Sequence, residues 1–287
     1  MIRADITVRA AAADPTVPVA ALHGSAANGR HWAGLAAYLG EEFRFLAPDT
    51  PGYGSAGSPE TVVEAGMPER AERIAAMLVA CGRPVHLVGH SAGGALALKV
   101  ALLRQDLIAS LTLIEPVTFH LLGQAGPAER QLLGEIESVA GTMRKSVDGG
   151  NPALGMAHFV DFWNGRGYWM SLPADARLRL AGQCAQVVED FKAAFAEDWP
   201  LATAGDLTMP VQLIMGLQSP LPALRVTEML AETIDGARLS VIPDAGHMAP
   251  FTHPSAVHPM IARHIRMAEA EAMPPNGRCV PVSRRAA

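Results

Sequence analysis

The chain lacks the residues that disulfide frameworks, zinc sites and membrane spans require. Its 287 residues include three cysteines, Cys81, Cys184 and Cys279, which lie far apart and form no CxxC spacing. That pattern argues against a disulfide framework and against a zinc site. No apolar run approaches the roughly 18 residues of a membrane helix, and the N-terminus carries no apolar segment long enough for a signal peptide. We therefore expect a soluble, cytoplasmic protein that does not bind membranes.

Charged residues are also scarce. They make up 18% of the chain, the formal net charge is −5, and no run of five basic residues occurs. This charge pattern argues against nucleic acid and anionic lipid surfaces as partners. Hydrophobic residues account for 49% of the chain, which is enough for a substantial core and far from the composition of a disordered protein.

Short apolar runs alternate with helical patterns along most of the chain. Six runs bounded by turn residues predict strands that are buried on both faces, at 17–24, 43–49, 84–90, 110–116, 210–216 and 239–247. Helical spacing of apolar residues predicts helices near 31–40, 68–81, 92–104, 223–234 and 254–270. This alternation indicates an α/β fold with a mostly parallel central sheet and helices on both of its faces.

The alternation stops between residues 117 and 205, where helix-like segments follow one another without a convincing strand. We predict a core formed by 1–116 and 206–270, a helical cap at 117–205, and a mobile tail at 271–287. The cap holds a cluster of aromatic residues at 158–173. These rings could fill a small core of the cap, line an apolar pocket, or do both.

One serine stands where a strand gives way to a helix. In the run Val85-His-Leu-Val-Gly-His-Ser-Ala-Gly-Gly94, Ser91 is flanked two residues away on each side by glycine. A sharp strand-to-helix turn strains its corner residue, and the glycines relieve the crowding around it. The hydroxyl of Ser91 is then exposed beside a helix N-terminus that favours negative charge, as a nucleophile requires.

A serine hydroxyl needs a general base and an oxyanion hole. His247 follows the last predicted strand, which brings it to the same sheet edge as Ser91. His23 also ends a strand, but it precedes a turn that is better suited to presenting backbone N–H groups. We therefore predict His247 as the base, and the N–H groups of Ser25 and Ala92 as the oxyanion hole.

Four motifs together resemble the α/β-hydrolase superfamily: HGS at 23–25, DTPGYGSAG at 49–57, GHSAGG at 89–94 and DAGHMAPFTHP at 244–254. The resemblance covers roughly residues 17–267. It implies a Ser91 nucleophile, a His247 base and a cap over the substrate pocket at 117–205. The chain order, serine before histidine, is the order of that superfamily.

The acid of the expected triad is missing from its usual place. After the strand at 210–216 the superfamily resemblance leads us to expect an aspartate, but Ser219 occupies that slot. Glu115, at the end of the preceding strand, is our first candidate, because it lies one helix and one strand after Ser91 and should emerge at the same sheet edge. Some superfamily members, including haloalkane dehalogenases, resemble such an arrangement. The alternatives are that the acid is supplied by Asp244, Asp206 or Asp235, or that there is none. Loss of the carboxylate from a triad costs about 10⁴ in turnover.

The residues and the resemblance together predict a serine hydrolase acting on a carboxylic ester, thioester or lactone through a Ser91–His247–Glu115 triad and an acyl-enzyme. Carbon–carbon bond hydrolysis, perhydrolysis and a non-catalytic ligand receptor of the same fold are the alternatives. We expect a small-molecule substrate with an apolar acyl or aromatic part, no cofactor and no metal. Phe119, Trp163 and Met248 are expected to line the substrate pocket. Neither the oligomeric state nor the substrate follows from the sequence.

Overall fold

Six parallel strands form the centre of the protein. The computed structural model describes residues 16–56 and 62–272. The strands are β1 (Val17–Leu22), β2 (Phe43–Leu46), β3 (Val85–His90), β4 (Ile108–Ile114), β5 (Val211–Gly216) and β6 (Arg238–Ile242). They pair in the order β2-β1-β3-β4-β5-β6. β3 and β4 are therefore neighbours at the middle of the sheet, where their carboxyl ends emerge side by side.

Helices cover both faces of this sheet. The helices that follow strands of the core are α1 (Ala33–Leu39), α2 (Met67–Val79), α3 (Ala92–Leu103), α10 (Leu221–Thr233), α11 (Ala249–Thr252) and α12 (Pro254–Ala272). Successive residues of one strand belong to different core clusters, since Val19 shares a cluster with Trp32 and Ile261, whereas Ala20 shares the other with Leu78 and Leu98. This period of two, apolar on both sides, is the pattern of a parallel strand buried between helices.

The prediction that all six strands are buried on both faces is wrong for the two strands at the sheet edges. The first two residues of β6 and its Val241 are exposed, and only Ile242 is buried. In β2 only Phe43 is buried. Each of these strands pairs on one side only and receives less helical cover, so part of its side-chain surface meets solvent.

A helical segment interrupts the alternation between β4 and β5. It comprises α4 (His120–Gln124), α5 (Pro127–Asp148), α6 (Pro152–Asn164), α7 (Tyr168–Ser171), α8 (Ala174–Ala181) and α9 (Cys184–Phe195). No strand occurs within it, as the sequence pattern indicated. The final helix α12 runs to Ala272, two residues beyond the predicted core boundary at 270. The remainder of the predicted tail, 273–287, lies outside the described residues, as does Cys279.

The described residues contain neither a membrane-length apolar helix nor a cluster suited to a metal ion. None of the helices within 16–56 and 62–272 is long and apolar enough to cross a membrane. Over the same ranges, no group of three histidine, cysteine, aspartate or glutamate side chains could hold a metal ion. Cys81 and Cys184 both carry free thiols.

Candidate active site

Ser91 occupies a strained corner between β3 and α3. Its φ is +56° and its ψ is −122°, values that a non-glycine residue seldom adopts. The neighbouring backbones approach closely here, because a Cβ on Gly93 would collide with the carbonyl oxygens of Leu22 and His23. The amide of Ser91 donates to the carbonyl of Ile114 at 3.0 Å, which ties the corner to β4.

His247 reaches Ser91 from the loop after β6. Its Nε2 lies 3.0 Å from the Ser91 hydroxyl oxygen, and the ring is buried, with 3% of its surface exposed. The loop folds back over the end of β5, since the amide of Gln218 donates to the carbonyl of Ala245 at 2.9 Å. The backbone carbonyl of His247 also accepts a 2.8 Å hydrogen bond from Nε2 of His90. His90, the residue before Ser91, therefore holds the His247 loop against the end of β3.

Glu115 lies beyond the end of β4, and its carboxylate approaches the edge of the His247 ring that carries Nδ1. Its Oε2 is 2.6 Å from Nδ1 of His247, and the residue is 1% exposed. Glu115 also has a positive φ, +43°, so strained backbone occurs at the ends of two neighbouring strands. A carboxylate beside Nδ1 favours the tautomer with its proton on Nδ1, and in that tautomer Nε2 is an acceptor that faces the Ser91 hydroxyl.

Ser219, at the position where the superfamily resemblance leads us to expect an aspartate, contacts Glu115. Its hydroxyl donates to Oε1 of Glu115 at 2.6 Å, and the amide of Gly216 donates to the same oxygen at 2.8 Å. A buried carboxylate is costly unless hydrogen bonds surround it. Both oxygens of Glu115 accept such bonds. These bonds offset the cost of burying a carboxylate at the end of an apolar strand.

The alternative acids lie elsewhere. The carboxylate of Asp244 is 77% exposed and lies 3.8 Å from Nε2 of His253. Asp206 and Asp235 are exposed residues that precede β5 and β6. Of the four carboxylates considered from the sequence, only Glu115 contacts His247.

The two residues predicted for the oxyanion hole border the cavity beside Ser91. Ala92 is the first residue of α3, so its N–H has no acceptor within the helix. Ser25 follows β1 and lies in the same cavity wall. His23, the other histidine at a strand end, is occupied on both sides of its ring: Nδ1 lies 2.8 Å from the carbonyl of Gly24, and Nε2 accepts from the amide of Thr50 at 2.9 Å. Its role is to hold the β1 and β2 loops together.

A second polar cluster lies in the same cavity and was not anticipated from the sequence. Asp190 of α9 accepts from the hydroxyls of Ser25 and Tyr53, each at 2.5 Å, and from Nη1 of Arg70 at 2.5 Å. Arg70 and Asp190 are buried, with 6% and 7% of their surfaces exposed. We call these four residues the Arg70 cluster. No sequence signal marks it, because its members come from four separate elements and Asp190 resembles any polar residue of an amphipathic helix.

Two cavities meet at Ser91. The first, which we call the Arg70 cavity, encloses about 620 Å³ including its mouth. Its walls contain the Arg70 cluster, Ala92 and apolar side chains such as Met67, Leu96, Val117 and Phe119. The second, which we call the His247 cavity, encloses about 760 Å³ including its mouth. Its walls contain His247, Met248 and apolar cap residues such as Met156, Val160, Leu172 and Leu180. Phe159 and Trp163 border both cavities.

Aromatic rings of the cap cover the histidine. The indole of Trp163 stacks on His247 with ring centroids 3.9 Å apart and an interplanar angle of 25°. Phe119 stacks behind Trp163 at 6.4 Å. The three residues predicted to line the pocket, Phe119, Trp163 and Met248, all lie in the walls of these cavities. The aromatic cluster of the cap thus serves as part of the cap core and as cavity wall.

Burial determines the protonation states of His90, which precedes Ser91, and of Tyr53, which belongs to the Arg70 cluster. It lowers the pKa of His90 well below its usual value of 6.5, and the charge that His247 can acquire lowers it further. His90 therefore stays neutral and donates through Nε2. Burial, followed by the adjacent charge of Asp190, raises the pKa of Tyr53 well above its usual range. The Tyr53 hydroxyl therefore keeps its proton and donates it to Asp190.

Comparison with known proteins identifies similar proteins, and several of them are hydrolases by name. Residues 19–259 match the family described as the alpha/beta hydrolase family. The chain is 30% identical over 260 residues to Lipase LipV of Mycobacterium tuberculosis, a match that covers 85% of this chain and 91% of that protein. It is 27% identical over 238 residues to a pimeloyl-[acyl-carrier protein] methyl ester esterase of Aeromonas hydrophila, covering 81% of this chain and 89% of that protein.

A solved structure gives the same picture at the level of the fold. The chain superimposes on a thermophilic esterase from Thermogutta terrifontis with a TM-score of 0.67, over 88% of this chain and 90% of that one. Their sequences are 22% identical, so this likeness concerns the fold alone.

Proposed function

The chain belongs to the alpha/beta hydrolase family, and we propose that it hydrolyses a carboxylic ester through an acyl-enzyme formed on Ser91. The observation that carries this proposal is the continuous hydrogen-bonded path from the Ser91 hydroxyl through both nitrogens of His247 to Oε2 of Glu115. Such a path supplies the base that a serine nucleophile needs and the carboxylate that orients the base.

In the proposed first half-reaction, Ser91 Oγ attacks the ester carbonyl while its proton passes to Nε2 of His247. The imidazolium that forms is stabilised by the carboxylate of Glu115, 2.6 Å away. The negative charge on the carbonyl oxygen develops beside the N–H groups of Ser25 and Ala92 and the N-terminus of α3. His247 then returns the proton to the leaving alcohol as the carbon–oxygen bond breaks.

In the second half-reaction, water takes the place of the alcohol. His247 accepts a proton from the water as its oxygen attacks the acyl carbonyl, and the same N–H groups stabilise the second tetrahedral intermediate. Collapse of this intermediate returns the proton to Ser91 Oγ and releases the carboxylic acid. The cycle needs only water as the second substrate.

Two relatives support an ester as the substrate. One is named a lipase and the other a methyl ester esterase. The mostly apolar walls of the two cavities are compatible with a substrate that has an apolar acyl or alcohol part. A thioester or a lactone would pass through the same steps.

A substrate panel combined with a serine-directed probe tests the proposal. We expect turnover of p-nitrophenyl esters of graded acyl length, and stoichiometric labelling of Ser91 by a fluorophosphonate. Ser91→Ala should abolish both while the far-UV circular dichroism stays unchanged. A lactone and a vinylogous diketone in the panel distinguish lactonase and carbon–carbon hydrolase activity. An unlabelled Ser91 and no turnover of any substrate would indicate a receptor and contradict the proposal.

A further inference from the structure

The cavities on the two sides of Ser91 differ in which part of the proposed machinery they contain. Ser25 borders both cavities, but His247 borders only the His247 cavity and Ala92 borders only the Arg70 cavity. We propose that the Arg70 cavity receives the acyl part of the substrate, and that Arg70 binds a neutral hydrogen-bond acceptor, such as a ketone, carried on that acyl chain. This inference rests on the proposed ester hydrolysis, since it assigns the two halves of that ester.

The assignment of the two halves follows from proton transfer. The leaving alcohol must receive its proton from Nε2 of His247, so its oxygen must lie on the His247 side of Ser91. The carbonyl oxygen must face Ala92 and Ser25. With the alcohol extending into the His247 cavity, the acyl chain has the other cavity available, on the side of Ala92 and Leu96.

The acceptor follows from the hydrogen bonds of Arg70. Its Nε donates to the carbonyl of Ala65 at 2.9 Å and its Nη1 donates to Asp190 at 2.5 Å. Its Nη2 is buried and has no hydrogen-bond partner among the described residues. An unpaired donor on a buried cation is costly. Arg70 borders this cavity, and in the proposed complex an acceptor on the acyl chain bound there pairs with Nη2.

The charge of the cluster selects a neutral acceptor. Asp190 already neutralises Arg70, and both side chains are about nine-tenths buried. A carboxylate on the acyl chain would approach the carboxylate of Asp190 in a poorly solvated cavity, where like charges repel strongly. A ketone or hydroxyl oxygen carries no charge, so it can accept a hydrogen bond from the N–H group of Arg70 without repulsion from Asp190. The rest of this wall is apolar, with Met67, Phe119 and Phe191, which suits an otherwise hydrocarbon chain.

The test uses three matched series of p-nitrophenyl esters. In the first series the acyl chain carries a ketone at successive carbons, in the second a methyl branch replaces that ketone, and in the third a terminal carboxylate takes its place. We expect kcat/KM for the best ketone to exceed that of its methyl-branched isostere by about 10- to 100-fold, the range of a hydrogen bond to a charged donor. The carboxylate series should be the poorest of the three.

The variant Arg70→Lys sharpens the test. Lysine keeps a cation for Asp190 but lacks the second guanidinium nitrogen. The ketone preference, measured as the ratio of kcat/KM for the ketone to kcat/KM for its methyl-branched isostere, should fall about tenfold or more. Arg73→Lys is the matched control, because Arg73 lies on the same helix, pairs with Glu69 and is 54% exposed. It should leave the ketone preference intact. Thermal melting of both variants checks that each is folded.

A fourth series places the same ketone in the alcohol half of an alkyl ester. No preference for a ketone over its isostere is expected there. A preference on the alcohol side alone would overturn the assignment of the cavities. Equal rates for ketones and isosteres in the acyl half, or a ketone preference that survives Arg70→Lys, would overturn the role of Arg70. Both results differ from the failure of the proposed function itself, in which no ester of any series is hydrolysed.

Discussion

The Ser91–His247–Glu115 cluster and the Arg70 cluster face the same space but are built differently. Every member of the first comes from the core, at the ends of β3 and β4 and in the loop after β6. The second joins three core residues to Asp190 of α9, a helix of the inserted segment. The first would keep its hydrogen bonds if the cap moved, whereas the second would lose its only carboxylate. The proposed catalytic residues thus belong to the sheet and its loops, and the shape and polarity of the Arg70 cavity depend on how the cap docks.

Among the substitutions that test this comparison, the one that removes the charge of Glu115 should have the largest effect on activity. Glu115→Gln keeps the shape of the side chain but cannot stabilise the imidazolium, so we expect kcat for ester hydrolysis to fall by about 10⁴. Asp244→Asn serves as the control, because Asp244 is exposed and contacts His253 rather than His247. It should remain close to the wild type in steady-state assays. The opposite ranking would mean that the wrong carboxylate has been identified.

The Ser91–His247–Glu115 cluster is also the part of the site whose residues the sequence analysis names. Ser91 is predicted from its place at the end of a strand and from the flanking glycines that relieve steric crowding there. His247 is predicted from its place after the last strand. Glu115 follows because β4 pairs with β3, so a side chain just after β4 emerges next to Ser91. The contact between Ser219 and Glu115 cannot be predicted from the sequence, because the sequence does not specify side-chain rotamers.

The Arg70 cluster could not be predicted in the same way. Its members are joined by hydrogen bonds between residues up to 165 positions apart, and no periodicity relates a cap helix to the loops of the core. The edge strands illustrate the same limit, because an apolar run does not reveal whether a helix covers it. The local sequence pattern therefore predicts the helices, the strands and where they end. The contacts between the cap and the core are seen only in the three-dimensional structure.

The second largest effect is expected from Asp190→Asn, which breaks the link between cap and core. The substitution leaves the buried guanidinium of Arg70 without its counter-charge, and breaking a buried ion pair from one side costs about 3 kcal/mol in the free energy of unfolding. Urea denaturation measures this change. Asp175→Asn removes an exposed partner of Arg179 in the neighbouring helix α8 and should leave stability near that of the wild type. Equal effects of the two substitutions would show that the Arg70 cluster does not fasten the cap.

A smaller effect is expected when Glu115 is kept and a hydrogen-bond donor to its carboxylate is removed. Ser219→Ala removes one of the two donors to Oε1 and leaves the amide of Gly216 in place. A loss of about tenfold in kcat/KM is expected, corresponding to one hydrogen bond to a charged group. Ser240→Ala, which removes a hydroxyl from β6, is the control. If Ser219→Ala is fully active, the hydroxyl of Ser219 does not assist the acid.

The smallest effect concerns His90 and the dependence of stability on pH. Burial keeps the pKa of His90 in the folded state well below 6.5, so the unfolded chain binds a proton first as the pH falls. The stability contributed by neutral His90 is therefore present above pH 6.5 and is lost below it, by at most about 1.4 kcal/mol per pH unit. His90→Gln should lose stability less steeply than the wild type between about pH 6.5 and pH 5. Parallel curves from urea denaturation would contradict this account of His90.

The most direct test of the central claim is the proton NMR spectrum of His247 in water. A proton held between Nδ1 and a carboxylate oxygen 2.6 Å away is strongly deshielded. We predict a resonance far downfield of the backbone amides that disappears in Glu115→Gln and in His247→Gln but persists in Asp244→Asn and in His90→Gln. A resonance that persists in Glu115→Gln and disappears in Asp244→Asn would contradict the assignment of Glu115 as the partner of His247.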